Sequence, residues 1–250
     1  MPVEIVVIAE SALDARIVTG LCDRVLSECG PAWIRENPET LESGRTFRGV
    51  EAGSSFLQWS RVPKLAAGHG RGIRTFSWGK NRGMVDCATT RKALALVILG
   101  GGGGRPDFVI LSRDTDNEIE RWSSWRVVIN EASHPFAIIL AAQHPKLEAW
   151  LLNGFVPADP AEKECLRGLR RSLGFDPALS AERLTAEGKK GKKNAKKVLS
   201  ELTSNDESRR DACWKDVPLS HLRSAGLNTG LTEFIDQIET ILLPHFSDPV

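Results

Sequence analysis

Residues 107–117, DFVILSRDTDN, decide how the rest of the chain is read. Phe108, Val109, Ile110 and Leu111 form an unbroken apolar run, the pattern of a short strand buried in a sheet. The run passes through Ser112 and Arg113 into Asp114-Thr115-Asp116. Two carboxylates at i and i+2 of an extended segment point to the same side. Like charges held that close are unfavourable unless a cation sits between them, so the stretch predicts a metal site at a strand end. The competing reading is an acidic turn that caps the following helix, a role that Asp and Asn also favour.

Upstream, residues 4–9 (EIVVIA) are a second continuous apolar run and predict a strand buried on both faces. Glu10 and Ser11 end it. Leu13, Ile17, Leu21, Val25 and Leu26 then recur at helical spacing over residues 13–28, and Gly30-Pro31 stops that helix. Residues 32–72 have no clear period and read as an insertion with some helix over 55–65. Residues 73–78 predict a second strand and residues 84–99 a helix. The five glycines at 100–104 precede a strand instead of following one, which argues for a connector and against a phosphate-cradling loop. Beyond the acidic turn, residues 118–128 predict a helix anchored by Trp122 and Trp125. Residues 135–141 (PFAIILA) predict a strand, and residues 146–152 (KLEAWLL) a helix.

This alternation predicts an α/β domain over residues 1–153, a doubly wound, mostly parallel four-stranded sheet flanked by helices. Residues 154–250 predict an all-helical C-terminal subdomain, with helices near 161–173, 180–187, 193–202, 207–215 and 229–243 and Thr229 as a cap for the last. In a parallel sheet the carboxyl ends of the strands share one edge, so Glu10 is expected beside Asp114 and Asp116. Three carboxylates with no thiolate or histidine cluster select a hard cation, Mg²⁺ or Mn²⁺.

The bulk composition narrows the alternatives. Of 250 residues 41 % are hydrophobic and 26 % charged, as in an ordinary globular protein. A net charge of +1 gives no global attraction to nucleic acid, so any such binding needs a local patch. Residues 189–197 (KKGKKNAKK) supply one, in Lys189, Lys190, Lys192, Lys193, Lys196 and Lys197. A solvated helix face is the other reading of that run. Arg71, Arg74, Lys80 and Arg82 form a second basic rim around the predicted second strand. The five cysteines, Cys22, Cys29, Cys87, Cys165 and Cys213, contain no CxxC pair and read as free thiols of a reducing compartment. With no signal peptide and no apolar run of about 18 residues, the expected location is cytoplasmic, away from membranes.

The order strand–Glu10–helix–strand–helix–strand–Asp114/Asp116–helix–strand resembles the TOPRIM fold over about residues 1–150. The first motif, AESALD, departs from that family's usual form, with Ser11 where glycine is common and Asp14 near an expected acid. The later block HPKLEAWLL (144–152) resembles small stand-alone bacterial TOPRIM-like proteins related to nucleases of the overcoming-lysogenisation-defect type. The resemblance implies metal-dependent hydrolysis of phosphodiester bonds, DNA before RNA, in defence against phage or mobile elements. It also implies a later acid, for which Glu148 stands in the right block, and a lysine near the scissile phosphate, with Lys193 and Lys196 as candidates. Glu148 reads equally as an ordinary first-turn glutamate, and His144 as a packing residue. No Walker-type motif occurs, so an ATP requirement would need a partner, an ABC-type ATPase in that family. Self-association into a homo-oligomer is a further expectation. The absence of tyrosine excludes the tyrosyl–DNA intermediate of topoisomerases. The alternative is a catalytically inactive TOPRIM-like nucleic-acid-binding or regulatory subunit. A receiver-like phospho-acceptor is disfavoured because Glu10 is followed by Ser11 and not by a second acid.

Overall fold

The computed structural model describes residues 2–68, 73, 86–99, 104–131, 133–186 and 191–246. The chain is α/β, a mostly parallel sheet flanked by helices with a helical C-terminal region. It begins with β1 (Val3–Ala9) and α1 (Ala12–Cys29), followed by two short helices, α2 (Ala32–Glu36) and α3 (Leu41–Gly44). Two short strands, β2 (Arg45–Arg48) and β3 (Leu57–Gln58), precede α4 (Val62–Gly68) and α5 (Cys87–Leu99). Next come β4 (Phe108–Asp114), α6 (Ile119–Asn130), β5 (Ala137–Gln143) and α7 (Leu147–Asn153). The remaining helices are α8 (Pro160–Leu173), α9 (Ala195–Leu202), α10 (Glu207–Lys215), α11 (Leu219–Ala225) and α12 (Leu231–Gln237).

The sheet is ordered β2-β1-β4-β5, with β3 also pairing with β1. β1 runs parallel to β2, β3 and β4, and its register with β4 extends from Ile5 opposite Phe108 to Ile8 opposite Leu111. A central strand covered on both faces needs apolar side chains at every position, and β1 meets that demand: Ile5, Val6, Val7, Ile8 and Ala9 are all buried. The same holds for Phe108, Val109, Ile110 and Leu111 of β4. Helix α1 buries Ile17, Leu21, Val25 and Leu26 as its spacing predicts, whereas Leu13 at its start is exposed. The Trp59 indole donates to the Ser112 carbonyl at 2.7 Å, a buried bond that satisfies a β4 acceptor from outside the ladder.

Residues 32–72, read from sequence as an insertion, supply β2 and β3. Both strands are too short to show a two-residue alternation, and their edge position leaves them only partly covered, so no apolar run marks them. The predicted second strand, residues 73–78, lies outside the described residues except for Ile73, as do Arg71, Arg74, Lys80 and Arg82.

Two compact units emerge, and they interleave in sequence instead of dividing at residue 153. The first unit comprises residues 1–112, 119–140 and 237–250, and carries the sheet body with α1 to α6. The second comprises residues 113–118 and 141–236, and carries the acidic turn with α7 to α12. The reason is local packing: Trp150 of α7 stacks on Phe234 of α12 at 5.3 Å, and its indole donates to the Thr229 carbonyl at 2.7 Å. Thr229, expected as a helix cap, is thus a buried hub whose hydroxyl also bonds Asn153 Oδ1 at 2.6 Å. Among the described residues, 180–187 form only a single 3₁₀ turn, Ala181–Arg183, and Lys193 precedes α9 instead of belonging to it. Helix α11, which the sequence reading did not predict, carries Leu219 and Leu222 on one face. No helix among the described residues is long and apolar enough to cross a membrane.

Gly154 ends α7, and a Cβ placed there would lie 1.7 Å from the Cys213 carbonyl oxygen. Gly154→Ala is therefore expected to lower the unfolding free energy by about 1–3 kcal/mol, the usual cost of overpacking. A urea titration checks this, and an unchanged midpoint would contradict the packing of α7 against α10.

Candidate functional site

Strand β4 ends at Asp114, and the chain turns at once. Asp116 and Asn117 both have positive φ, 51° and 66°. The Glu118 amide donates back to the Thr115 carbonyl at 2.8 Å. Two consecutive left-handed residues closed in this way make a turn of the type I′ kind, for which Asp and Asn are among the few tolerant side chains. Asp116 is thus not in the extended conformation that the i, i+2 argument assumes. The turn is tied to the segment before α7 by two backbone bonds, Thr115 N–H to the Gln143 carbonyl at 2.9 Å and Asp116 N–H to the Pro145 carbonyl at 3.0 Å.

The two carboxylates are nevertheless gathered around one cation. Lys146 Nζ lies 2.9 Å from Asp116 Oδ1 and 3.3 Å from Asp114 Oδ2. Burial by itself lowers the lysine pKa. The hydrogen bond to Asp116 and the negative charges of both aspartates outweigh it and hold the ammonium above its ordinary range. Asp114 Oδ1 also accepts from the Leu147 amide at 2.9 Å, so this buried carboxylate supplies a long-range cap to the first amide of α7. Lys146 itself precedes that helix with no side-chain cap bond.

Beside this cluster, Thr115 Oγ1 and His144 Nδ1 are hydrogen-bonded at 2.7 Å. Partial burial pushes the His144 pKa below its ordinary 6.5, and the charge of Glu182 restores only part of the loss. Glu148, in the first turn of α7, is half-buried and makes no hydrogen bond or ion pair among the described residues.

The same turn reaches the lysine run. Asn117 Nδ2 donates to the Leu184 carbonyl at 3.0 Å, and Asn117 Oδ1 accepts from the Ala186 amide at 2.5 Å. Thr185, held between these two contacts, bridges Asn194: its amide donates to the Lys193 carbonyl and its carbonyl accepts from Ala195. Asn194 then caps α9 by accepting from the Lys197 amide at 3.0 Å. Lys192, Lys193, Lys196 and Lys197 are exposed on this segment, and Lys193 with Arg183 lies over the Phe175 ring. Lys192, Lys196 and Lys197 form no ion pair among the described residues. Lys189 and Lys190 lie outside those residues.

Glu10 follows β1 in the first unit, half-buried, with its carbonyl accepting from Gln58 Nε2 at 3.1 Å. Ser11 caps α1, its hydroxyl bonded to the buried carboxylate of Asp14 and accepting from the Asp14 amide. That cap is a local use for two residues of the AESALD stretch. Among the described residues no group of three or more His, Cys, Asp or Glu side chains is close enough to hold a metal ion. The oxygen-only donor pair of Asp114 and Asp116 does suit a hard cation, and the seated ammonium shows that the pair holds positive charge. No family model, curated protein or solved structure matches the chain.

Three contacts are not legible in the sequence: Lys146 with the two aspartates, Asn117 with residues 184 and 186, and His144, expected as a packing residue, with Thr115. Lys146 stands inside the quoted HPKLEAWLL block, but nothing in its spacing relates it to residues 30 positions away. Asn117 carried a usable signal, because an Asp-Asn pair just after a strand is itself a turn signature.

Two outcomes are expected. Asn117→Ala removes two hydrogen bonds and puts a less tolerant residue into left-handed backbone, so it should cost about 2–4 kcal/mol in a denaturant titration. His144 binds its proton less readily folded than unfolded, so stability should fall as pH drops below 6.5 toward the folded-state value, and His144→Gln should flatten that slope. Parallel pH–stability curves for the two proteins would contradict the burial of His144.

Proposed function

We propose that the chain is a metal-dependent nuclease of the TOPRIM type, hydrolysing phosphodiester bonds of nucleic acid with Mg²⁺ or Mn²⁺. One observation carries this reading: the acid pair and the exposed lysines belong to one compact unit and are joined through Asn117. Phosphodiester hydrolysis needs both kinds of group, carboxylates for a hard cation and ammonium groups for the phosphate backbone.

Asp114 and Asp116 would hold the ion, with Glu148 of the same unit as a further carboxylate, and the resemblance alone adds Glu10. The half-buried Glu148 carboxylate, without a hydrogen-bond or ion-pair partner among the described residues, supports its inclusion. The bound ion would supply Lewis-acid polarisation of the phosphate and a more acidic water. Lys192, Lys193, Lys196 and Lys197 would position the backbone of the nucleic acid, and their separate spacing along the segment suits a chain of phosphates. The resemblance further implies defence against phage or mobile DNA with an ABC-type ATPase as partner, and we place the activity in the cytoplasm.

A second reading has its own support. Asp114 already caps α7 and Asp116 already pairs with Lys146, so both acids have structural employment without a metal. That suits a TOPRIM-like binding or regulatory subunit without cleavage.

The test is cleavage of plasmid DNA and of RNA in Mn²⁺ or Mg²⁺, comparing the native protein with Glu10→Ala and Asp114→Ala. Each substitution is expected to reduce cleavage by more than the roughly 10–100-fold that loss of an outer metal partner costs. Full activity in both variants would remove these acids from the site. Binding without cleavage in the native protein would select the second reading.

A further inference from the structure

We infer that Lys146 is a tethered counter-ion for the acidic turn, which a divalent cation displaces on binding, so that the site is charge-neutralised by the chain itself until metal arrives. This rests on the reading of Asp114 and Asp116 as metal ligands. The geometry that carries it is the single ammonium bridging both carboxylates, 2.9 Å from Asp116 and 3.3 Å from Asp114. An ammonium in that position brings one positive charge to the two carboxylates, whereas a divalent ion would bring two.

The surroundings separate holding the turn from neutralising it. The turn keeps its place through backbone bonds: Thr115 to Gln143, Asp116 to Pro145, and Leu147 to the Asp114 carboxylate. None of them uses the lysine side chain, so the turn and the Asp114 carboxylate keep their place when the ammonium leaves. Lysine also suits exchange better than arginine would. Its charge is a point at the end of a flexible four-carbon stem, with no planar fork matched to a carboxylate. The Lys146 side chain is 27 % exposed, which gives the displaced ammonium a route to solvent, while the 10 % exposure of Asp114 limits screening of the pair. Displacement turns a half-buried counter-ion into a free cation beside the metal, available to an anionic ligand such as a phosphate.

The experiment uses the intact chain and two readouts. Calorimetric titration with Mn²⁺ compares the native protein, Lys146→Met and the Asp114→Asn/Asp116→Asn double variant. Acylation of each lysine by N-hydroxysuccinimidyl acetate, followed by peptide mass spectrometry on the native protein with EDTA or saturating Mn²⁺, reads release of the ammonium without any substitution. Lys146→Met is expected to bind Mn²⁺ about tenfold tighter or more, since a competing charge is gone. In the native protein Lys146 should acylate several-fold faster with Mn²⁺ than with EDTA, while Lys192 and Lys196 keep their rates. An unchanged Lys146 rate at metal saturation would overturn the inference, even if Lys146→Met does not fold. If the double variant also lost Mn²⁺ binding, the metal reading itself would stand. Weaker Mn²⁺ binding by Lys146→Met would equally overturn the exchange. No Mn²⁺ binding by any protein would overturn the metal site together with the inference.

Discussion

Two carboxylates leave the end of a buried strand two residues apart, and their mutual repulsion has to be met before anything else around them can settle. Asp114 is nearly buried, so water cannot do it alone. The chain answers with an ammonium from Lys146 and a helix amide from Leu147, both delivered by the segment between β5 and α7. That answer dictates the neighbourhood. The segment must lie against the turn, which the Gln143 and Pro145 carbonyls secure, and α7 must start where Asp114 can reach its first amide. Helix α7 in turn seats Trp150 on Phe234 and fixes Asn153 against Thr229.

The sheet explains why such chemistry collects at strand ends. β1 and β4 are covered on both faces along Ile5–Ala9 and Phe108–Leu111, so the side chains of those stretches are committed to the core. Charged side chains follow those stretches: Glu10 after β1, and Arg113 and Asp114 at the end of β4. Parallel pairing from Ile5–Phe108 to Ile8–Leu111 runs the two strands in the same direction. Polar groups past their ends are a consequence of that topology, and what they bind is a separate matter decided by their partners.

What could be read from sequence follows from the same division. The runs of β1, β4 and β5 and the stripe of α1 were legible because burial demands a period, and a period survives in one dimension. Glu207–Lys215 was legible as a helix, since it is flanked by turn residues at both ends. β2 and β3 were not, because four residues and two residues are too few to show one. The candidate site divides in the same manner. Asp114 and Asp116 announce themselves by spacing, whereas Lys146 and Asn117 act through contacts of 30 and 67 or more residues in separation, which no local pattern encodes.

The electrostatic rule drawn from the sequence was sound in form and silent about identity. It required a cation between the aspartates, and a metal ion and a lysine satisfy that requirement equally well. They differ in what they permit. A lysine on a flexible stem neutralises the pair without fixing a coordination geometry, and it can withdraw without disturbing the backbone bonds that hold the turn. A carboxylate pair built only for stability would gain nothing from that separation, because an arginine fork or a neutral amide pair would hold the turn as well. The arrangement at Lys146 keeps the acids close, with Asp114 oriented by the Leu147 amide, and the exchange we infer would leave that orientation in place. Those are the conditions under which a structural ion pair can also serve as a ligand set.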